Sequence, residues 1–405
     1  MRCRSPFLFV AALLLFLSAS CQPTGHDQKK SADLISSQLK LLADHYKEAK
    51  INPGGVRADA VTVRSLNAAG NMNLIPSKDW CSGFVAGSFW KAYTLTGDKV
   101  LMQLAADFTK PLEQEKYNGK THDMGLKMFC SYGQGYVLTK DTSYRSILIQ
   151  SAKTLATRFN EKVGAIRSWD HNQDKWQFPV IIDNMMNLEL LFWASKETGD
   201  QRFYDIAVKH ANTTLANHFR PDNSSYHVIG YDTLTGKVLQ RNTHQGLSHE
   251  SAWSRGQAWG LYGYTMCYRE TKIELYLQQA EKIAEFVLNH PNLPKDKVPY
   301  WDFDAPASAQ TPRDASAAAV TASALFELAQ YLPAKKEHYL ESATAILSSL
   351  ERNYASKAGE NKGFLLGHST GSFPSKTEVD VPINYADYYY LEAIGRQIES
   401  YKKSK

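Results

Sequence analysis

SGFVAGSFWKAYTLTGDKVLMQLAADFTKPL, residues 82–112, is the stretch on which the fold turns. Up to Leu95 it carries apolar or small residues on nearly every face, the composition of a helix enclosed by others. Thr96-Gly97-Asp98 then interrupts, with Gly suited to close one helix and Thr or Asp to cap the next. The second half is amphipathic, with charged faces. The same succession recurs with turns at Thr139-Lys140-Asp141, Thr198-Gly199-Asp200, Thr271-Lys272 and Leu332-Pro333. After the third of these, Ile206, Val208, Ala211, Leu215 and Phe219 trace a half-buried helix face.

Six segments are apolar almost all round: residues 82–95, 123–138, 183–197, 251–270, 314–331 and 383–398. Six amphipathic partners, the first at residues 31–49, alternate with them. Two shells of six predict an all-α fold, an (α/α)6 barrel spanning residues 31–405 as one catalytic-size domain. A solenoid of helical hairpins is the alternative. Strand signals are few; SYHVIGYD to KVLQRN, turned at Leu234-Thr235-Gly236, reads as a hairpin in a long loop.

The chain has 405 residues and a formal net charge of +5, which falls to +3 if Arg2 and Arg4 are removed with a leader. That is too small to indicate a nucleic-acid partner. The first 20 residues have the basic start, short apolar run and small-residue end of a signal peptide. The apolar run is shorter than the ~20 residues a bilayer span requires. Ser18-Ala19-Ser20-Cys21 is similar to a bacterial lipobox, so Cys21 is expected to carry a lipid, with residues 21–30 as a tether. Apart from this anchor no membrane contact is expected. Cys81, Cys130 and Cys267 show no paired spacing and read as buried free thiols. His244 and His249, five apart with no second pair, make no metal site.

Aromatic residues form 12% of the chain, with 22 Tyr and 8 Trp, and flat rings pack well on the CH faces of sugars. Asp123, Asp183, Arg255 and Asp314 fall at or near the starts of enclosed helices, which share one rim if the helices alternate in direction. Each is equally readable as a helix cap or an ion-pair partner. Asp123 in KTHDMG and Asp183 in PVIIDNMMN sit beside apolar neighbours that raise a carboxyl pKa, and two acids in different surroundings suit acid–base work on a glycan. Trp80, Phe84, Trp169, His227, Thr243, His244, Gln245, Arg255 and Trp259 are the candidate substrate contacts around them. The Arg255 fork suits a carboxylate or sulfate.

WCSGFVAGSFWKAYTLTGD, HDMGLKMFCSYGQGY, IIDNMMNLELLFWASKETGD, THQGLSHESAWSRGQAWGLYGY and INYADYYYLEA together resemble glycoside hydrolase family 88, the unsaturated glucuronyl hydrolases, across nearly all of residues 35–400. The resemblance implies an (α/α)6 barrel with no metal and no cofactor. It also implies a substrate: glycosaminoglycan disaccharides and short oligosaccharides bearing a 4,5-unsaturated uronic acid, as polysaccharide lyases leave them. By motif, Asp183 is then the proton donor and Asp123 the second catalytic carboxylate, acting by hydration of the enol ether. Ser372 and Ser375, with Lys376, lie where some relatives hold a substrate sulfate. An unsaturated rhamnogalacturonyl hydrolase of the same fold, acting on pectin fragments, is the near rival, and the motif wording favours the glucuronyl enzymes. A glycan-binding lipoprotein is the rival from another class, and it would need stacking aromatics but no pair of rim carboxylates.

Overall fold

The computed structural model describes residues 25–51 and 58–403. Within them the Thr-containing turns repeat one hydrogen-bond pattern. The hydroxyls of Thr96, Thr139, Thr198 and Thr271 each donate to the carbonyl four residues back at 2.7–2.8 Å. Each also accepts the backbone N–H two residues on, at 3.1–3.2 Å. Gly97, Lys140, Gly199 and Lys272 between them are left-handed, with φ from 57° to 74°. Asp98, Asp141 and Asp200 then accept a backbone N–H of the helix that follows. Every such turn thus ends one helix and starts the next within three residues.

The chain begins with α1 (Gly25–Ile51) and the antiparallel pair β1 (Ala60–Leu66) and β2 (Met72–Pro76). Helices α2 (Phe84–Thr96) and α3 (Lys99–Thr109) follow. A π-helical segment, Gly125–Gly133, runs into α4 (Gln134–Thr139), and α5 (Thr142–Ala156) comes next. After the short pair β3 (Phe159–Asn160) and β4 (Ala165–Ile166), β5 (Pro179–Ile181) leads through a 3-10 turn, Ile182–Asn187, into α6 (Leu188–Thr198) and then α7 (Gln201–Asn217). Strands β6 (Val228–Tyr231) and β7 (Val238–Asn242) precede α8 (Ser254–Thr271) and α9 (Glu274–Asn289). The remainder is α10 (Ala315–Leu328), α11 (Lys336–Ser349) and α12 (Asn384–Lys403).

Helices α2, π/α4, α6, α8, α10 and α12 are neighbours in a ring that closes where α12 packs on α2. The other six lie outside them, which is the expected (α/α)6 barrel. The difference between shells is that between all-round and one-sided burial: every residue of α10 is buried, whereas α9 buries Leu277, Ala280, Ile283, Ala284 and Val287 and turns its charged residues outward. One continuous apolar cluster joins the shells, and Cys81, Cys130 and Cys267 are buried free thiols within it.

Several expectations need correction. Residues 25–30, counted with the tether, belong to α1, while the leader and Cys21 lie outside the described residues. The second inner helix opens as a π-helix; there Leu126 N–H donates to Asn187 Oδ1 at 3.0 Å, and a Cβ on Gly125 would stand 2.5 Å from Asn187 Cα. The starts of the second and third inner helices therefore touch backbone to backbone. The expected hairpin is β6–β7, but it gains a third strand, β5, and β1–β2 is a further pair.

Further along their length the inner helices are tied by charge. Arg269 of α8 meets Glu189, Glu270 and Glu327, Arg396 of α12 reaches Glu327 at 2.6 Å and Glu392 at 3.8 Å, and Lys91 of α2 holds Glu392 at 2.9 Å. Replacing Arg396 by Met leaves Glu327 and Glu392 short of a counter-charge. The variant is expected to lose about 3 kcal/mol in denaturant unfolding, with turnover at low temperature unchanged because none of these residues lines the pocket that holds Asp123 and Asp183.

Candidate active site

The starts of the inner helices gather at one rim, and the loops there enclose a pocket of about 400 Å³. Asp123 enters it from the segment before the π-helix, where Thr121 pairs with Trp169. Asp183 enters from the turn after β5. That strand pairs with β6 through Ile181 and Val228, Ile182 N–H donates to the His227 carbonyl at 3.1 Å, and Ile181 N–H donates to Ser168 Oγ at 3.0 Å. The small sheet thus fixes Asp183 and His227 side by side. A larger, open cleft of about 980 Å³ between α1 and the β1–β2 pair holds neither Asp123 nor Asp183.

Burial pushes the Asp183 carboxyl up to about 7. The Arg255 charge, its own backbone N–H and the Trp259 indole facing it hold the rise back, and the Asp123 carboxylate adds to it. Near neutral pH Asp183 therefore retains a proton to give. Asp123 has polar partners instead: its Oδ2 accepts the Thr121 hydroxyl at 2.6 Å, and His122 Nε2 lies 3.2 Å from Oδ1. Burial holds His122 below the ordinary imidazole value. The two carboxyls therefore occupy different environments on one wall.

Arg255 is placed at the pocket but does not offer a free fork. It is 1% exposed, its Nη1 donates to Asp314 Oδ2 at 2.7 Å and to the Thr370 carbonyl at 2.5 Å, and its Nη2 donates to the Gly371 carbonyl at 2.5 Å. The expected bidentate grip on a ligand anion is corrected accordingly, because those donors already hold the pocket wall. Asp314 is both cap and counter-charge, accepting N–H from Ser316 and Ala317.

The pocket brings together Trp80, Asp123, Trp169, Asp183, His244, Gln245, Arg255, Ser372 and Ser375. Four candidates stand apart from it. Phe84 is fully buried against Trp80, Tyr385 and Tyr388, as apolar core. Trp259 is fully buried and packs on Tyr389 behind Asp183. Thr243 is a turn residue whose hydroxyl accepts Gly246 N–H at 2.7 Å. His227 is 3% exposed and lies behind Asp183. The sequence reading did not single out Lys120, Thr121, His122, Ser168, His171 and Thr377, which also line the pocket. His122 adjoins Asp123 in the chain, so the KTHDMG segment itself pointed to it. His171 stacks on Trp169 with ring centroids 5.0 Å apart, and the exposed Lys120 adds a cationic group to the pocket lining. Among the described residues no group of three or more His, Cys, Asp or Glu is arranged to hold a metal ion.

Residues 58–393 match the family described as Glycosyl Hydrolase Family 88. The chain is 48% identical to an unsaturated glucuronyl hydrolase of Formosa agariphila, over 96% of this chain and 97% of that protein. It is 32% identical to an unsaturated chondroitin disaccharide hydrolase of Streptococcus pyogenes, over 91% of each. It also superposes on the crystal structure of an unsaturated glucuronyl hydrolase specific for heparin, with a TM-score of 0.87, 49% identity, and 93% and 98% of the two chains covered.

The Asp183 pKa has a consequence for stability that needs no substrate. An acid whose folded pKa is raised contributes fully below its unfolded value, and that contribution is lost as pH rises through the folded one. The rise from 3.8 to about 7 corresponds to at most about 4 kcal/mol. Asp183→Asn, which has no proton to lose, should gain in melting temperature relative to wild type between pH 5 and pH 8. A constant difference across that range would show that Asp183 does not ionise at such a cost.

Proposed function

The chain belongs to glycosyl hydrolase family 88, and within that family's chemistry we propose that Asp183 is the acid and Asp123 the second carboxylate of an enol-ether hydration. The protein is a glycosidase of the unsaturated glucuronyl hydrolase type, removing the 4,5-unsaturated uronic acid from the non-reducing end of glycosaminoglycan oligosaccharides. One observation supports the assignment of the acid above the rest: Asp183 is a buried carboxyl held up to about 7 at the pocket wall.

Protonating a carbon needs an acid that is both neutral and close. Asp183 delivers its proton to C4 of the unsaturated ring, and positive charge develops at C5, shared with the ring oxygen. The two carboxylates then stabilise that charge and take a proton from the water that adds at C5. The product is a hemiketal. It opens to a C5 ketone, which frees a hemiacetal at C1; that in turn collapses to an aldehyde and expels the partner sugar with its oxygen. No bond at the anomeric carbon is displaced by a nucleophile, so the spacing rule that separates retaining from inverting glycosidases does not apply. Trp80 and Trp169 offer ring faces to the sugars, while Ser372, whose hydroxyl donates to Ser375 at 3.0 Å, lines the same pocket.

Heparin-derived disaccharides are the proposed preferred substrates, because the heparin-specific enzyme is 49% identical to this chain and the chondroitin disaccharide hydrolases only 32–34%. Loss of the ultraviolet absorbance of the C4=C5 bond, followed with heparin, chondroitin and pectin lyase products, measures this directly. Turnover is expected with the first two, heparin faster, and not with pectin fragments. Asp183→Asn should lose at least about a thousandfold in kcat, Asp123→Asn slightly less. Wild-type kcat should fall as pH rises through about 7, the pH at which Asp183 gives up its proton. An Asp183 variant that keeps a tenth of its activity sinks the assignment.

For location, the sequence of the first 21 residues supports export and a lipid on Cys21. Several acyl chains at one N-terminus give stable attachment, whereas one is marginal. Cys21→Ala is then expected to move activity from the membrane fraction to the soluble fraction with kcat unchanged. Wild-type protein found soluble, with an unmodified N-terminus, overturns this.

A further inference from the structure

His227 has one ring nitrogen whose state is legible from the backbone. Its Nδ1 is 3.1 Å from the N–H of His244 and 3.1 Å from the N–H of Gln245. A backbone N–H can only donate, so Nδ1 accepts twice and carries no proton. The single proton of the neutral ring is therefore on Nε2. Protonating Nδ1 as well would set an N–H against two N–H groups, and burial pushes the imidazole well below its ordinary value.

Nε2 faces Asp183 Oδ2 at 3.7 Å. Neither atom has another hydrogen-bond partner within the protein, and both are buried. The backbones that carry them are locked together by the Ile181–Val228 pairing and by Ile182 N–H on the His227 carbonyl. The ring itself packs on Trp253 at 4.7 Å between centroids. Two unsatisfied groups of opposite polarity are thus held a fraction of an ångström beyond bonding distance, and a small rotation of the carboxyl closes the gap, as catalytic hydrogen bonds often close in the substrate complex.

We infer that His227 is a positioning residue for the acid: its Nε2–H, held in that tautomer by the turn at 244 and 245, donates to Asp183 Oδ2 and keeps the transferable proton on Oδ1. The inference rests on Asp183 being the proton donor and explains how that donor is aimed. A carboxyl has two equivalent oxygens, and only a proton on the one facing the substrate is useful. A donor on the other oxygen removes the ambiguity. It also favours the ionised form and so makes a stronger acid. The other groups facing this pair are Arg255 and Trp259 from α8, Asp123 from the segment before the π-helix, and His122, His218 and His244 around the ring. These are the same in the variants below.

Two substitutions separate the halves of the imidazole. In His227→Asn the side-chain oxygen sits near the Nδ1 position and accepts the two backbone N–H groups, but the donor is gone. In His227→Gln the amide nitrogen reaches the Nε2 position and keeps the donor. The expected result for His227→Asn is a kcat about tenfold or more below wild type, with the basic limb of its pH profile moved upward by about half a pH unit. His227→Gln should keep the wild-type limb and most of kcat. A wild-type limb in His227→Asn, or equal losses in both variants, overturns the inference. Should the Asn variant fail to fold, the imidazole ¹⁵N spectrum of the wild-type enzyme decides instead: Nε2 protonated and Nδ1 bare supports the assignment, and the reverse tautomer or an imidazolium defeats it. Asp183→Asn assayed alongside tells the failures apart, since an inactive Asp183→Asn beside an unshifted His227→Asn rejects only the role of His227.

Discussion

The buried ion pair between Arg255 and Asp314 joins the fold to the chemistry. Asp314 caps α10, Arg255 is the second residue of α8, and the same guanidinium ends on the carbonyls of Thr370 and Gly371. Three separate parts of the chain are thereby pinned at one point of the rim, the last of them leading directly to Ser372 and Ser375. The flat group is held between Trp253 at 4.6 Å and Tyr385 at 5.2 Å. Removing either partner would leave an uncompensated charge in a dry site, which typically costs about 3–5 kcal/mol. The positive charge also reaches Asp183 and limits how far its pKa rises. One residue therefore fixes the geometry of the wall and tempers the acid, whose pKa is raised chiefly by burial.

The barrel treats charge in two opposite ways. Away from the pocket, Arg269, Arg396 and Lys91 answer Glu189, Glu327 and Glu392, so that acids and bases are matched across five inner helices. At the N-terminal ends, the buried Arg255 guanidinium is already committed to Asp314, and Asp183 is governed chiefly by desolvation. A carboxyl near a partner ionises; one in apolar surroundings without a close cation stays protonated. The same residue types thus lock the helices together and arm the pocket.

The alternation of enclosed and half-exposed segments made the barrel legible, and the Thr-X-Asp turns marked where each layer ends. These signals are local, spanning three or four residues, and they survive into the structure unchanged. What escaped the sequence depends on contacts between distant positions. Arg255 was read as a ligand fork because nothing in SAWSRGQAW reveals Asp314, 59 residues on, or Thr370, 115 on. His227 was read as a sugar contact because its approach to Asp183 requires a three-stranded sheet, and one strand, Pro179–Ile181, is too short to show an alternating pattern. The π-helical opening was hidden for a like reason, since its cause is a backbone touching Asn187.

Folded proteins leave few buried polar atoms without a partner, because each costs roughly 1–3 kcal/mol. Here six of the unpartnered atoms among the described residues lie in or behind the pocket wall, Asp183 Oδ2, His227 Nε2, Arg255 Nε, Trp169 Nε1, His122 Nδ1 and Tyr385 OH, while others, such as Ser88 Oγ, Thr214 Oγ1 and Gln279 Nε2, belong to helices away from it. Core polar groups of the Arg269 and Arg396 network, by contrast, are bonded to one another. In the pocket wall His227 Nε2 and Asp183 Oδ2 can meet one another once the carboxyl turns, which leaves the groups that open onto the pocket for the substrate. Groups arranged in advance of the ligand lose nothing to reorganisation when charge develops in the transition state. The pocket wall thus keeps polar groups unmet for the same reason that it is reactive, and the matched charges of the Arg269 and Arg396 network supply stability away from it.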